Sequence, residues 1–129
     1  MVVPDTITTI ENTAFDYCGA IISVDAENVI DIGYSAFQYC TSLTTVNTPS
    51  AATIGESAFL ECTNLTTIYT NATSISGQFG GAFEKCTSLT TITTGNLTSI
   101  GARAFSGCPS LTIDGLKGLK VDNTTLFKH

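Results

Sequence analysis

The pattern Ala-Phe-x-x-Cys recurs five times, at Ala14/Phe15/Cys18, Ala36/Phe37/Cys40, Ala58/Phe59/Cys62, Ala82/Phe83/Cys86 and Ala104/Phe105/Cys108. The intervals are 22, 22, 24 and 22 residues, and a fixed period of this length means that one supersecondary unit is repeated along the chain. Four residues before the alanine stands Ile10, Ile32, Ile54 or Ile100, with Ile75 in that part in the fourth unit. Three past the cysteine stands Ile21, Leu43, Leu65, Leu89 or Leu111, and six past it Val24, Val46, Ile68 or Ile92, before the fifth unit departs with Asp114. The unit therefore reads Ile-Gly-x-x-Ala-Phe-x-x-Cys-x-x-Leu-Thr-x-Ile/Val.

Within a unit, Ile54, Ala58, Phe59, Cys62 and Leu65 fall at i, i+4, i+5, i+8 and i+11, the spacing of one helix face, which predicts a short helix. The run from Leu65 to Thr70, rich in Thr and Ile, predicts a short strand. Gly33, Gly55 and Gly101 stand where the chain turns into the helix, as residues that tolerate positive φ. One unit buries too few side chains to offset the entropy of ordering its backbone. Units must therefore stack, strand on strand in parallel at about 4.8 Å, with equivalent side chains aligned in columns. The expected fold is an α/β solenoid of about five repeats of 22–24 residues, with short parallel strands on one face and short helices on the other. The array covers residues 1–112, and residues 113–129 form a C-terminal cap or the start of a linker. The cap reading rests on Leu116, Leu119, Val121 and Phe127 as a cover for Phe105 and Leu111, while Val2, Val3 and Ile7 suit an entering strand.

This unit resembles the leucine-rich repeats of the BspA-like group, also called the Treponema pallidum type, whose signature is Ile-Gly-x-x-Ala-Phe-x-x-Cys-x-x-Leu. The match covers about residues 7–112, with Glu11 and Ser76 in place of the glycine and two extra residues within Ser76 to Gly81. The resemblance implies a leucine-rich repeat fold in a surface-exposed or secreted protein, of the kind that host-associated bacteria and some parasitic protists use in adhesion to host proteins and cells. It implies no binding residues, because none belong to the signature.

Charge and composition exclude several other functions. A net charge of −6, with only five Lys and Arg, repels phosphate and anionic headgroups and excludes nucleic acid as a partner. No run approaches the roughly 18 apolar residues of a membrane-crossing helix, so direct membrane insertion is not expected either. Met1 to Thr6 lacks a charged n-region and an apolar h-region, so an extracellular or cell-surface location implies a signal outside this chain. The cysteines occupy equivalent positions, are odd in number and include no Cys-x-x-Cys pair, which predicts a column of buried free thiols packing as small hydrophobes. His129, the last residue and the only histidine, cannot serve as a held base for Ser or Cys nucleophiles. Asp16, Glu27, Asp31, Glu56, Glu61 and Glu84 are scattered over different unit positions and read as solvated surface. The segment from Ser76 to Gly81 is glycine-rich but lacks the Lys-Ser/Thr ending of a phosphate loop. No enzyme, cofactor or metal site is expected.

What remains is binding, and it belongs where the units differ. Alternation along the strands turns Ser23/Asp25, Thr45/Asn47, Thr67/Tyr69 and Thr91/Thr93 to one outer face, on which Tyr69 is the aromatic best suited to anchor a partner; the alternative is a merely solvated face. Tyr17 and Tyr39 occupy equivalent positions and are expected to stack on the helix side. Phe79, in the insertion, is either an exposed anchor or a cover for the core beneath the longer loop, and the covering role is favoured here. The expected partner is an extracellular protein or glycan, host-derived under the resemblance, bound by a monomer or a weak edge-paired dimer. The alternatives are a structural spacer and, remotely, an ice-binding threonine face, which Asn47 and Tyr69 interrupt. Asn64, Asn71, Asn96 and Asn123 head glycosylation sequons.

Overall fold

The computed structural model describes residues 1–94 and 97–111, together with the backbone of a short strand at 116–117. The remainder of the expected cap over 113–129 lies outside the described residues. Among the described residues ten short strands follow one another: β1 (Thr9–Ile10), β2 (Ser23–Asp25), β3 (Asp31–Ile32), β4 (Thr45–Thr48), β5 (Thr53–Ile54), β6 (Thr67–Thr70), β7 (Ser74–Ile75), β8 (Thr91–Thr93), β9 (Ser99–Ile100) and β10 (Leu116–Lys117). Odd and even strands separate into two five-stranded parallel sheets, ordered β1-β3-β5-β7-β9 and β10-β8-β6-β4-β2. The chain therefore winds as a β-solenoid, laying one strand on each sheet per turn. Ahead of β2, Val2 bridges Asp25 in parallel, which places the entering chain on the edge of the sheet of even-numbered strands.

The short helices expected opposite the strands are absent among the described residues, and the segment Ala-Phe-x-x-Cys is instead a run of turns. Rung spacing explains the difference. The Phe rings of successive units stack at centroid distances of 5.3, 5.3, 5.2 and 5.5 Å, whereas packed helices need about 8–10 Å between axes. A helix in every unit would force the rungs apart on that side, and the phenyl column holds them together. The backbone bonding follows. The N–H groups of Thr13, Phe15 and Tyr17 donate across to the carbonyls of Tyr34, Ala36 and Gln38 in the next rung, at 2.9, 2.8 and 2.8 Å. Those between them, on Ala14, Asp16 and Cys18, donate three residues back within the rung, to Glu11, Thr13 and Phe15. Half the amides thus serve the neighbouring rung, which a helix forbids. The turns hold Thr13, Ser35 and Ser57, and again Tyr17, Tyr39, Glu61 and Lys85, at positive φ between 53° and 60°.

The isoleucines assigned above to the helix, Ile32, Ile54, Ile75 and Ile100, are the inward residues of the second sheet. Its partners are in step: Ile10 on Ile32, Ile32 on Ile54, Ile54 on Ile75 and Ile75 on Ile100. Facing them across the interior are Val24, Val46, Ile68 and Ile92 of the other sheet, and the Phe, Cys and Leu columns complete the core. The glycines after these isoleucines are required by close approach and not by φ. A Cβ on Gly101 would lie 2.2 Å from the backbone nitrogen of Gly77, and one on Gly55 would lie 2.8 Å from the carbonyl carbon of Gly33.

The cysteine column is a second set of rung-to-rung bonds. The thiols of Cys40, Cys62, Cys86 and Cys108 donate to the carbonyls of Phe15, Phe37, Phe59 and Phe83 at 3.1, 3.1, 3.0 and 3.0 Å. All five cysteines are free. Burial pushes the Cys40 thiol up to about 11 and those of Cys62 and Cys108 up to about 12, and Cys86 well above its ordinary value. They are structural donors with little thiolate at neutral pH.

Candidate binding surface

The sheet of even-numbered strands assembles the expected outer face. Ser23, Thr45, Thr67 and Thr91 form one column of Cα partners and Asp25, Asn47, Tyr69 and Thr93 another, with the apolar column between them turned inward. Thr45, Thr67 and Tyr69 are exposed, and Asn47, Thr91 and Thr93 are half-buried. Asn47 Nδ2 donates to Asp25 Oδ1 at 3.0 Å, tying the first two members of its column together. Beside this face the hydroxyls of Thr44, Thr66 and Thr90 donate to the carbonyls of Ile22, Thr44 and Thr66 at 3.0, 3.1 and 3.2 Å. Much of the threonine content therefore staples rungs together, and on the outer face Thr-x-Thr is continuous only at Thr91–Thr93. Asn64, the first sequon, uses its side-chain amide to donate to the Thr41 carbonyl at 2.7 Å.

Tyr17 and Tyr39 do stack, with ring centroids 4.6 Å apart and planes inclined by 18°. Their place is a corner of the turn segment and not a helix, because both residues sit at positive φ. Tyr17 is 66% exposed. Its phenol is held above the ordinary value, first by partial desolvation and then by the negative charge of Tyr39, Asp16 and Glu61. The same column continues into Glu61 and Lys85, which pair at 3.5 Å.

Phe79 does not cover the core: it is 83% exposed. The reason lies in where the extra residues fall. Four residues separate Ile54 from Ala58 but seven separate Ile75 from Ala82, while β6 to β7 is one residue shorter than β4 to β5. The surplus loops out and is closed off by the Ala82 N–H donating to the Ser76 carbonyl at 3.0 Å. The phenyl stack beneath already seals the core, so Phe79 has nothing left to cover. One carboxylate fixes the loop. The backbone N–H groups of Gln78, Phe79 and Gly80 donate to Glu56 at 3.2, 3.2 and 2.6 Å. Glu56, read from the sequence as solvated surface, is thus the loop's anchor.

Other features of the surface had no clear sequence signal. Tyr34, 53% exposed, lies one period before Glu56. The outer column of the second sheet, Thr9, Asp31, Thr53, Ser74 and Ser99, went unrecognised together with its sheet. A polar residue before each periodic isoleucine was the available sign of it. Among the described residues no group of His, Cys, Asp and Glu could hold a metal ion, and no helix is long and apolar enough to cross a membrane. His129 lies outside the described residues.

A β-solenoid built on the unit Ile-Gly-x-x-Ala-Phe-x-x-Cys, with Glu11 and Ser76 in place of the glycine, can be compared directly with known repeats. The sequence model of the BspA type leucine rich repeat region matches residues 1–112 in six copies, one more than the Ala-Phe-x-x-Cys elements. The chain belongs to that family. Among solved structures, this BspA-type chain is similar to the T. pallidum leucine rich repeat protein, with 29% identity and a TM-score of 0.71 over 88% of this chain and 54% of that one. It spans about half the length of that protein. A leucine rich cell surface protein from Faecalibacterium prausnitzii A2-165 matches at 23% identity with a TM-score of 0.37, over 72% of this chain and 38% of that one. No curated protein sequence matches the chain. The family is one of generally non-enzymatic binding repeats, and nothing in the comparisons indicates catalysis.

Proposed function

We propose that this BspA-type array is an adhesion-type binding module of a cell-surface or secreted protein, recognising an extracellular protein or glycan. The observation that carries this reading is the outward placement of aromatic side chains on a scaffold whose core is already closed without them. Tyr69 is 47% exposed at the centre of the flat sheet face, and Phe79 is 83% exposed on a loop held by three hydrogen bonds. Exposed aromatics on rigid supports lose little entropy on binding and dominate the energetics of interfaces. The net charge of −6 favours neutral or basic partners over nucleic acid.

The test is immobilisation of the chain and titration with extracellular-matrix proteins and a glycan array. A saturable ligand is expected, and Tyr69→Ala or Phe79→Ala should weaken it at least tenfold while Tm stays within a few degrees of the parent. If the folded chain binds nothing saturably, it is a spacer that presents other domains.

A further inference from the structure

Resting on the binding-module reading, we infer that the cleft beside the insertion loop is a subsite for one neutral saccharide unit. The cleft encloses about 190 Å³ and is lined by Glu56, Ser74, Ser76, Gln78 and Ser99 with Gly77 and Gly101 among its remaining walls. It exists because two irregularities coincide. The outer column of the second sheet shrinks there from Thr9, Asp31 and Thr53 to Ser74 and Ser99. The extra residues of the fourth unit rise beside the space so vacated. No other unit has both.

The lining selects the ligand class by elimination. No Lys, Arg or His lines the cleft, so an anion finds no counter-charge. The single carboxylate, on Glu56, already accepts three backbone N–H groups, so a cation finds no free ligand set. Ile75 and Ile100 are the only apolar side chains in the lining, Ile75 fully buried, and the other walls are hydroxyls, an amide and peptide groups, which offers little to an apolar ligand. What they match is a molecule that donates and accepts hydrogen bonds on several sides at once.

The side chains are available for that purpose. Hydroxyls flanking the cleft on the same sheet are spent inside the chain: Thr53 Oγ1 donates to Asp31 Oδ1 at 2.6 Å, and those of Thr73 and Thr98 donate to backbone carbonyls. Among the described residues, the side chains of Ser74, Ser76, Gln78 and Ser99 make no such bond. Next in sequence to Gln78 stands the exposed ring of Phe79, an apolar surface of the kind on which the C–H face of a sugar packs. The loop is pre-set: a Cβ on Gly80 would collide with Ser57 Oγ, and one on Gly81 with the Arg103 carbonyl, so both positions hold backbone tightly against the adjoining rungs.

The experiment is amide chemical-shift mapping on the whole chain, titrated separately with glucose, galactose, mannose and N-acetylglucosamine, and with N-acetylneuraminic acid as the acidic comparison. At least one neutral sugar should shift residues 74–78 and 99–101 saturably, with a Kd on the order of 1 mM as befits a single small subsite, and the acidic sugar should bind at least fivefold more weakly. Ser99→Leu, at an exposed outward position that leaves the core untouched, should abolish the shifts, and Phe79→Ala should weaken them about fivefold. Circular dichroism of both variants confirms that the fold is retained. The inference is overturned if no neutral sugar shifts these residues, if the acidic sugar binds equally well, or if Ser99→Leu leaves binding unchanged. A saturable partner mapped elsewhere on the array would overturn the subsite while leaving the binding-module reading in place.

Discussion

Phe59→Ala tests whether the phenyl column holds the rungs at their spacing. Phe59 is fully buried and stacked on both faces, against Phe37 at 5.3 Å and 5° and against Phe83 at 5.2 Å and 3°. Truncation of a buried Phe to Ala costs about 3–5 kcal/mol in transfer and cavity terms. Each aromatic contact is worth about 0.5–1.5 kcal/mol beyond burial. Because these contributions overlap, we expect a loss of about 4–5 kcal/mol, a large part of the roughly 5–15 kcal/mol available to a domain. Phe15 is the internal comparison: it is only partly buried and its one stacking partner in the column is Phe37. Phe15→Ala should cost about half as much. Phe59→Leu, which keeps most of the volume and loses both stacks, should fall between the two and remains measurable if Phe59→Ala does not fold. The assay is urea unfolding followed by far-ultraviolet circular dichroism, since the chain has no Trp. Equal losses for Phe15→Ala and Phe59→Ala would refute the reasoning, because the penalty would then not depend on having a ring on each side.

Two further outcomes follow from close approach and from burial. Gly101→Ala places a methyl 2.2 Å from the backbone of Gly77 and should cost about 1–3 kcal/mol or more in the same urea assay; Gly19→Ala, whose nearest neighbour would be Thr41 Oγ1 at 3.8 Å, should be neutral within about 0.5 kcal/mol. Iodoacetamide at pH 8 should leave Cys40, Cys62, Cys86 and Cys108 unlabelled in the native chain and label all five cysteines in denaturant. Their raised thiol pKa values also fix the sign of the alkaline response. The unfolded thiols ionise near 9 and the folded ones not until about 11 or 12, so their contribution is intact below pH 9 and is lost as pH rises toward 11 and 12. Unfolding free energy should fall over that window, and Cys62→Ala should show a shallower fall; an unchanged slope in that variant would show that the thiol is not a contributor.

The repeat and its inward columns were legible in the sequence because burial leaves the same residue types at the same place in every rung: Phe15 to Phe105, Cys18 to Cys108, Ile10 to Ile100. The helix was misread because tight turns, like helices, bring the chain back to one face every three or four residues, so the spacing of Ile54, Ala58, Phe59 and Cys62 does not separate them. What separates them is the distance between rungs, which depends on the packed phenyl rings and is absent from any single unit. The residues on one sheet face, Thr45 through Thr93, were readable from strand alternation, and the Tyr17–Tyr39 stack from their common position in the period. Phe79 was not, since its exposure follows from a core already closed by Phe59 and Phe83. Glu56 was invisible for a related reason: its partners are backbone N–H groups of another rung, which carry no side-chain identity to read.

The fourth unit is longer than its neighbours, yet the separation of Phe59 from Phe83, 5.2 Å, is no greater than that of any other pair in the column. Length variation is therefore decoupled from register: surplus residues leave the wall at one corner and return to it without displacing the layers above or below. A lineage carrying such an array could vary one loop on any layer, in size or in composition, and the selection acting on that loop would be independent of the selection that maintains the interior. Diversification of what is recognised would then proceed layer by layer, in the manner of exchangeable tips on a fixed shaft, with each trial confined to a few residues.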